Sequence, residues 1–204
     1  DAKERLNQLA DGFLLHNRPI RTRIDDSVVS VIESVPHIQR RARGYAPLPL
    51  LLSTSAIPTL ACGTELKNTF CLVRDRYAFV SHHVGDLDNQ ETLNAYQDAI
   101  RHHEMIFRIK PLLLAADMHP DYLATRYARQ RACEENLPLV EVQHHHAHIV
   151  SCMADNNLPR SEPVIGLAFD GTGYGTDGAI WGGEVLLANW LRFERPYHLE
   201  YLPL

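Results

Sequence analysis

Apolar and polar positions change period several times along this chain, and the changes mark its elements. Residues 89–108 place Leu93, Tyr96, Ile100, His103 and Phe107 at helical spacing, so a helix with one apolar face is expected there. Asp88, with Glu91 three residues on, is a capping arrangement for its start. Apolar runs at 112–116 and 139–142 have strand length, and the segment 122–136 between them has helical length. A helix of about 13 residues is expected from His144, then strands at 164–169 and 184–190. Upstream, residues 60–63 read as a short strand. The β-prone runs 69–74 and 77–81 flank Asp75-Arg76 as a hairpin signal. Earlier still, DSVVSVI (residues 26–32) is rich in β-branched residues and reads as a strand, with a turn at Pro36.

The order after residue 58 is then β-β-β-α-β-α-β-α-β-β, which implies an α/β layer architecture. Pro47, Pro49 and Pro58 bracket a Ser/Thr cluster, so residues 47–58 read as a linker. The expected division is residues 1–46 as the tail of one domain, 47–58 as linker, and 59–204 as the first part of another. A segment of 46 residues is small for a self-sufficient core. DAKERLNQLA carries no initiator Met, and a fragment of a longer chain is expected.

Composition narrows the classes. Hydrophobic residues at 45% and charged residues at 22% suit an ordinary globular core. A formal charge of −5 argues against a general nucleic-acid binder, which carries a basic excess. No apolar run approaches the roughly 18 residues of a membrane span, and no secretion signal is recognisable. Cys62, Cys71, Cys133 and Cys152 form no CxxC pair, which excludes a zinc ribbon and gives no disulfide framework. Reduced thiols in a cytoplasmic protein are expected.

Candidate chemistry gathers in VQHHHAHIVS (residues 142–151), where four of the chain's 12 histidines fall within five positions. On a helix, His144 and His148 share a face and can hold one ion, whereas His145 and His146 point elsewhere, as structural or substrate-facing groups. The pair sits where a strand gives way to a helix, the edge at which open α/β sheets place ligands. Two imidazoles under-coordinate an ion, so a carboxylate from another segment is required. The same spacing also arises in plain surface or core pairs.

FDGTGYGTDGAIWGG (residues 169–183) offers Asp170 at the end of an apolar strand, placed to complete a metal site or to face a nucleotide-bound cation. Its glycines suit a turn whose amides, at Gly171, Thr172 and Gly173, approach phosphate oxygens. A long hairpin loop is the competing reading. CGTELKNTF (residues 62–70) echoes the Gly-Thr turn and adds Lys67, a candidate point charge for the same anion, although an exposed lysine beside a strand is commonly just solvated. Asp25 and Ser27 lie near the basic run with Arg41 and Arg43, whose forks match phosphate geometry; a solvated strand end is the alternative. His82, His83 and His119 fall at strand ends, where a loop-bonded histidine competes with a substrate-facing one.

Together, GTELKNTF, GDL, HPDY, HHHAH and LAFDGTGYGTDGAIWGGE resemble the metal-and-nucleotide domain of the Kae1-like class in the actin-like ATPase superfamily (a ribonuclease H-like fold), and within it the HypF carbamoyltransferases of nickel–iron hydrogenase maturation. ADGFLLHNRPIRTRIDDSVV and RRARGYAPLPL resemble the end of the YrdC-like α/β domain that precedes it in that family. The resemblance implies His144, His148 and Asp170 as ligands of a divalent metal, zinc or iron by ligand type, with a further aspartate ligand beyond residue 204. Read from residue type and position, Lys67 and His119 are catalytic candidates, and Asp25, Ser27, Arg41, Arg43, Gly171, Thr172 and Gly173 are phosphate- or nucleotide-binding ones. Carbamoyl phosphate and ATP, with Mg, would give carbamoyl adenylate, and the carbamoyl group would pass to the C-terminal cysteine of a HypE-type acceptor protein, toward a cyanide ligand. Alternatives are O-carbamoylation of a small molecule, threonylcarbamoyl transfer to tRNA, and a non-catalytic metal-binding module. Neither membrane nor nucleic acid is an expected partner.

Overall fold

The computed structural model describes residues 2–20 and 22–201; Asp1, Arg21 and 202–204, the last three positions of the expected second domain, lie outside the described residues. A short helix α1 (Ala2–Leu6) leads to an antiparallel hairpin, β1 (Val28–Ile32) and β2 (Val35–Arg40). The chain continues through β3 (Leu50–Cys62), β4 (Phe70–Val80), α2 (Gln90–Phe107), β5 (Leu113–Asp117), α3 (Leu123–Glu135), β6 (Leu139–Val142) and α4 (His144–Asp155). It ends in β7 (Val164–Tyr174), β8 (Ile180–Ala188) and β9 (Phe193–His198). The first main sheet has the order β4-β3-β5-β6, antiparallel at β3/β4 and parallel at β3/β5 and β5/β6. Its parallel pairs require crossovers, which α2 and α3 supply. Strands β7, β8 and β9 form a separate antiparallel meander. This is the expected α/β layering, with β9 an element that periodicity missed.

The larger core lies between the first sheet and helices α2 and α3. Leu60, Phe70, Leu72, Tyr96, Ile100 and Leu114 are buried there, and Phe70 meets Tyr96 edge to face at 5.8 Å. Helix α3 turns Ala124, Ala128 and Ala132 inward at four-residue spacing, and these small side chains let it lie close on β5. A second core packs Ile149 and Met153 of α4 against Trp181, Leu186 and Ala188 of β8. Before Pro47, Ala42 is the one buried hydrophobic among the described residues, so the leading hairpin has little core of its own.

Several expectations are corrected. Residues 50–58 of the expected linker form the first part of β3, and Pro58 is accommodated where the β3/β4 register slips between Ala56 and Thr59. Asp75-Arg76 is no hairpin: β4 runs straight through it, and Asp75 at φ 55° marks a bulge where the pairing jumps from Leu51↔Tyr77 to Ala56↔Asp75. The turn of the leading hairpin falls at Glu33 and Ser34, both at positive φ, rather than at Pro36, which lies within β2. Asn89, not Asp88, caps α2, its side chain accepting from Thr92 N at 2.9 Å. The supposed glycine loop of residues 169–183 is largely strand, with β7 and β8 joined by a short turn at Gly178 (φ 79°).

Leu114 is fully buried in β5, the strand that ends at Asp117. Truncating it leaves a void between the sheet and α3, and Leu114→Ala is expected to cost about 3 kcal/mol in urea unfolding. A cost below about 1 kcal/mol would show that this packing is not as described.

Candidate metal centre

Topology brings three segments to one edge of the first sheet. Strands β5 and β6 run parallel with Asp117 opposite Val142, so the carboxylate ending β5 lies beside the start of α4. Gln143 caps that helix: its Oε1 accepts from His146 N at 2.9 Å, while its Nε2 donates to Tyr174 O at 3.3 Å on β7. Strand β7 then crosses beneath α4. Its inward positions Gly166, Ala168 and Asp170 alternate, and the inward face resumes at Gly173 because the β7/β8 register slips between Phe169 and Gly173. That bulge keeps both Asp170 and Gly173 facing the helix. At Gly173 a Cβ would stand 2.4 Å from the His145 ring, so no larger residue fits.

The two histidines and the aspartate singled out by spacing converge. His144 Nε2 and His148 Nε2 are 3.1 Å apart, and each lies 3.3 Å from Asp170 Oδ2. Asp170 Oδ2 is buried with no hydrogen-bond donor of its own among the described residues. Ligand atoms held about 2.1 Å from a tetrahedral ion lie about 3.4 Å from one another, so the triangle and its N/N/O chemistry fit a divalent cation such as zinc. His148 is the exposed member, whereas His144 is largely buried.

Neighbouring groups hold this triangle, and two of them, Asp117 and Gln143, were not singled out by sequence. Asp117, a buried carboxylate, places Oδ2 2.8 Å from His144 Nδ1. His145 does not point away: fully buried, it sets Nε2 2.5 Å from Asp170 Oδ1 and lies parallel to Trp181 at 6.2 Å. Gln143 Nε2 sits 3.2 Å from its other ring nitrogen. His146 is structural, bonding Asn189 O at 2.7 Å and packing on Phe193. The available signal for Asp117 was a carboxylate closing an apolar strand at the edge where the histidine run begins.

The remaining expected site residues lie around this centre or elsewhere. His119 is close: its backbone N–H donates to Asp117 Oδ1 at 2.8 Å, and its ring stacks on Tyr122 at 4.0 Å. Gly171 and Thr172 are exposed on the β7 bulge, but Gly171 and Gly173 do not adopt positive φ, so the expected turn-shaped phosphate cradle is an extended strand segment instead. Lys67 is exposed in the β3–β4 connection, and its backbone N–H bonds Asp86 at 2.7 Å. Ser27 is engaged with Ala42 N and Arg43 O, and Arg41 donates to Tyr45 O and Leu48 O. Arg43 pairs with exposed Asp26 at 3.3 Å, and Asp25 accepts from Arg43 N through its backbone carbonyl. Arg41 thus braces residues 41–48, whereas the Arg43 guanidinium stays largely exposed beside Asp26. His82 is buried, which depresses its pKa, and its ring lies near that of His103; His83 donates its backbone N–H to Arg41 O.

Electrostatics separates the two candidate ligands. The hydrogen bond to Asp117 raises the pKa of His144 against the opposing effect of burial, and the Asp117 and Asp170 charges add to the rise. Burial, then the charge of His144, lowers that of His148. As pH falls, a proton therefore competes for His144 Nε2 before His148 is affected. Zinc affinity, measured by chelator competition from about pH 5.5 to 8.5, is expected to climb through the raised His144 pKa and then level off. A flat profile would contradict this assignment of the competing proton.

Residues 54–155 match the family described as HypF Kae1-like domain, and residues 166–204 match the carbamoyltransferase Kae1-like domain, second subdomain. The chain is 48% identical over 207 residues to carbamoyltransferase HypF2 of Cupriavidus necator, covering all of this chain and 25% of that protein. A crystal structure of full-length HypF in a phosphate- and nucleotide-bound form superposes with a TM-score of 0.86 at 52% identity, over 95% of this chain and 30% of that one. The T. kodakarensis HypF structure gives 0.90 at 44% identity, over 100% and 26%. The chain thus spans about a quarter of the length of its curated relative. With both family matches falling in order across the two sheets and the metal-type triangle between them, the chain belongs to the HypF family and carries its Kae1-like domain sequence over residues 54–155 and 166–204.

Proposed function

We propose that this chain is the part of a carbamoyltransferase that passes a carbamoyl group from carbamoyl adenylate to a protein thiol, the C-terminal cysteine of a HypE-type acceptor. The observation that carries the reading is the approach of His144 Nε2, His148 Nε2 and Asp170 Oδ2 to within 3.1–3.3 Å of one another, in a chain whose curated relatives are named carbamoyltransferases. In the whole protein, carbamoyl phosphate and ATP with Mg would supply the adenylate at the YrdC-like domain, to which residues 1–46 would contribute the tail.

His144, His148 and Asp170 would hold the divalent cation, zinc or iron by ligand type. When bound, the cation supplies Lewis acidity toward a carbamoyl or phosphate oxygen. The chain's own residues do the rest. His145 pins Asp170, and Asp117 pins His144, so the ligand set is rigid before substrate arrives. A groove of about 450 Å³ between α4 and β7, lined by Ile149, Met153, Gly166 and Ala168, ends at His148 and Asp170. Its apolar wall would limit hydrolysis of a mixed anhydride held there. In the transfer, the thiolate sulfur bonds the carbamoyl carbon while the bond from that carbon to the AMP phosphate oxygen breaks, and AMP leaves.

The full-length protein is expected to cleave ATP to AMP and pyrophosphate only when carbamoyl phosphate is present, and to carbamoylate a peptide ending in cysteine. His148→Ala should retain adenylate formation and lose transfer by about 100-fold or more, the scale of removing one electrostatic stabiliser. Transfer at the unchanged rate in a folded His148→Ala protein would overturn the proposal.

A further inference from the structure

We infer that Asp117 is a positioning residue for the candidate metal centre: its carboxylate fixes the ring orientation and tautomer of His144 so that Nε2, and not Nδ1, is presented to the cation. This rests on the metal-centre reading above and adds a residue on β5 to it.

Asp117 offers one kind of interaction to its neighbours. A carboxylate only accepts hydrogen bonds. Its Oδ1 takes the backbone N–H of His119 at 2.8 Å, and its Oδ2 faces His144 Nδ1 at 2.8 Å. Nδ1 must therefore carry a proton, which leaves Nε2 with its lone pair directed at His148 Nε2 and Asp170 Oδ2. With the opposite tautomer, a proton on Nε2 would stand in the space between the three ligand atoms, and a bare Nδ1 would face carboxylate oxygen. The carboxylate itself cannot swing away. Asp117 is 7% exposed, its carbonyl accepts from buried Thr125 Oγ1 at 3.0 Å, and its strand is locked in register with β6. A carboxylate on the far nitrogen of a metal-binding imidazole is also a recurrent way to orient the ring and raise its basicity.

The two oxygens have separable duties. Oδ1 caps the turn from Met118 to Tyr122, and Oδ2 polarises His144. Asp117→Asn can keep the cap through its Oδ1 while presenting an N–H, instead of an acceptor, to Nδ1. It is thus a nearly isosteric reversal of one hydrogen bond. Asp117→Glu keeps the acceptor with a longer reach.

The test uses cobalt(II) as the probe with the full-length protein. Asp117→Asn is expected to lower cobalt affinity by about 10- to 100-fold and to alter the visible d–d bands, with the melting temperature of the metal-free protein close to wild type. Asp117→Glu should recover part of the affinity. Nitrogen-15 spectra of the imidazoles should show Nδ1-protonated His144 in the wild type and the reversed tautomer in the metal-free asparagine variant. Unchanged affinity and spectra in Asp117→Asn would overturn the inference. If that variant does not fold, the wild-type spectrum decides alone: a His144 Nδ1 proton protected from exchange supports the role, and an unprotonated Nδ1 removes it. His148→Ala separates the two claims, because cobalt binding that survives it at full strength defeats the metal-centre reading itself.

Discussion

Two imidazole nitrogens 3.1 Å apart, with a carboxylate oxygen 3.3 Å from each, form a cluster that needs a shared proton or a cation to hold together. Lone pairs aimed at a common point repel unless a proton or a cation lies among them, and burial of Asp170 Oδ2 makes that repulsion harder for water to screen. The rise in the His144 pKa is the same fact seen from the proton's side: without a metal, an added proton on this ring is welcomed by two carboxylates. The rest of the local architecture serves to keep these atoms together against that repulsion.

The scaffold does so with rigid elements. Parallel pairing of β5 with β6 sets Asp117 beside the helix start, Gln143 ties α4 to β7, and the β7 bulge presents Asp170 and Gly173 to the same helix face. Trp181 backs His145, and Arg195 lies over the indole with its guanidinium carbon 3.9 Å from the ring centre. Arg195 in turn pairs with buried Glu184. A line of packed polar and aromatic groups thus runs from Asp170 through His145 of the helix into the meander sheet.

Much of this was legible in the sequence, and the failures have a common cause. The segment that became α2 was readable because it buries one face against a neighbour, and burial writes a period into the chain, whereas α3, β6 and α4 were read from the lengths of their runs. The three residues of the triangle were readable because HxxxH on a helix and an aspartate after an apolar strand are local patterns. Asp75 was misread because a positive-φ residue has the same signature in a hairpin and in a bulge, and only the partner strand β3 distinguishes them. The glycines after Asp170 suggested a loop, yet Gly173 is small because His145 occupies the space of its side chain. Asp117 closes an apolar strand as Asp170 does, but it stands 27 positions from His144, and their pairing is created by the β5/β6 register.

The central claim is the shared cation, and X-ray absorption at the zinc edge of the zinc-loaded full-length protein tests it most directly. A first shell of nitrogen and oxygen at about 2.0–2.1 Å, with the multiple-scattering signature of two imidazoles, is expected. A shell with sulfur ligands, or one lacking imidazole scattering, would contradict it.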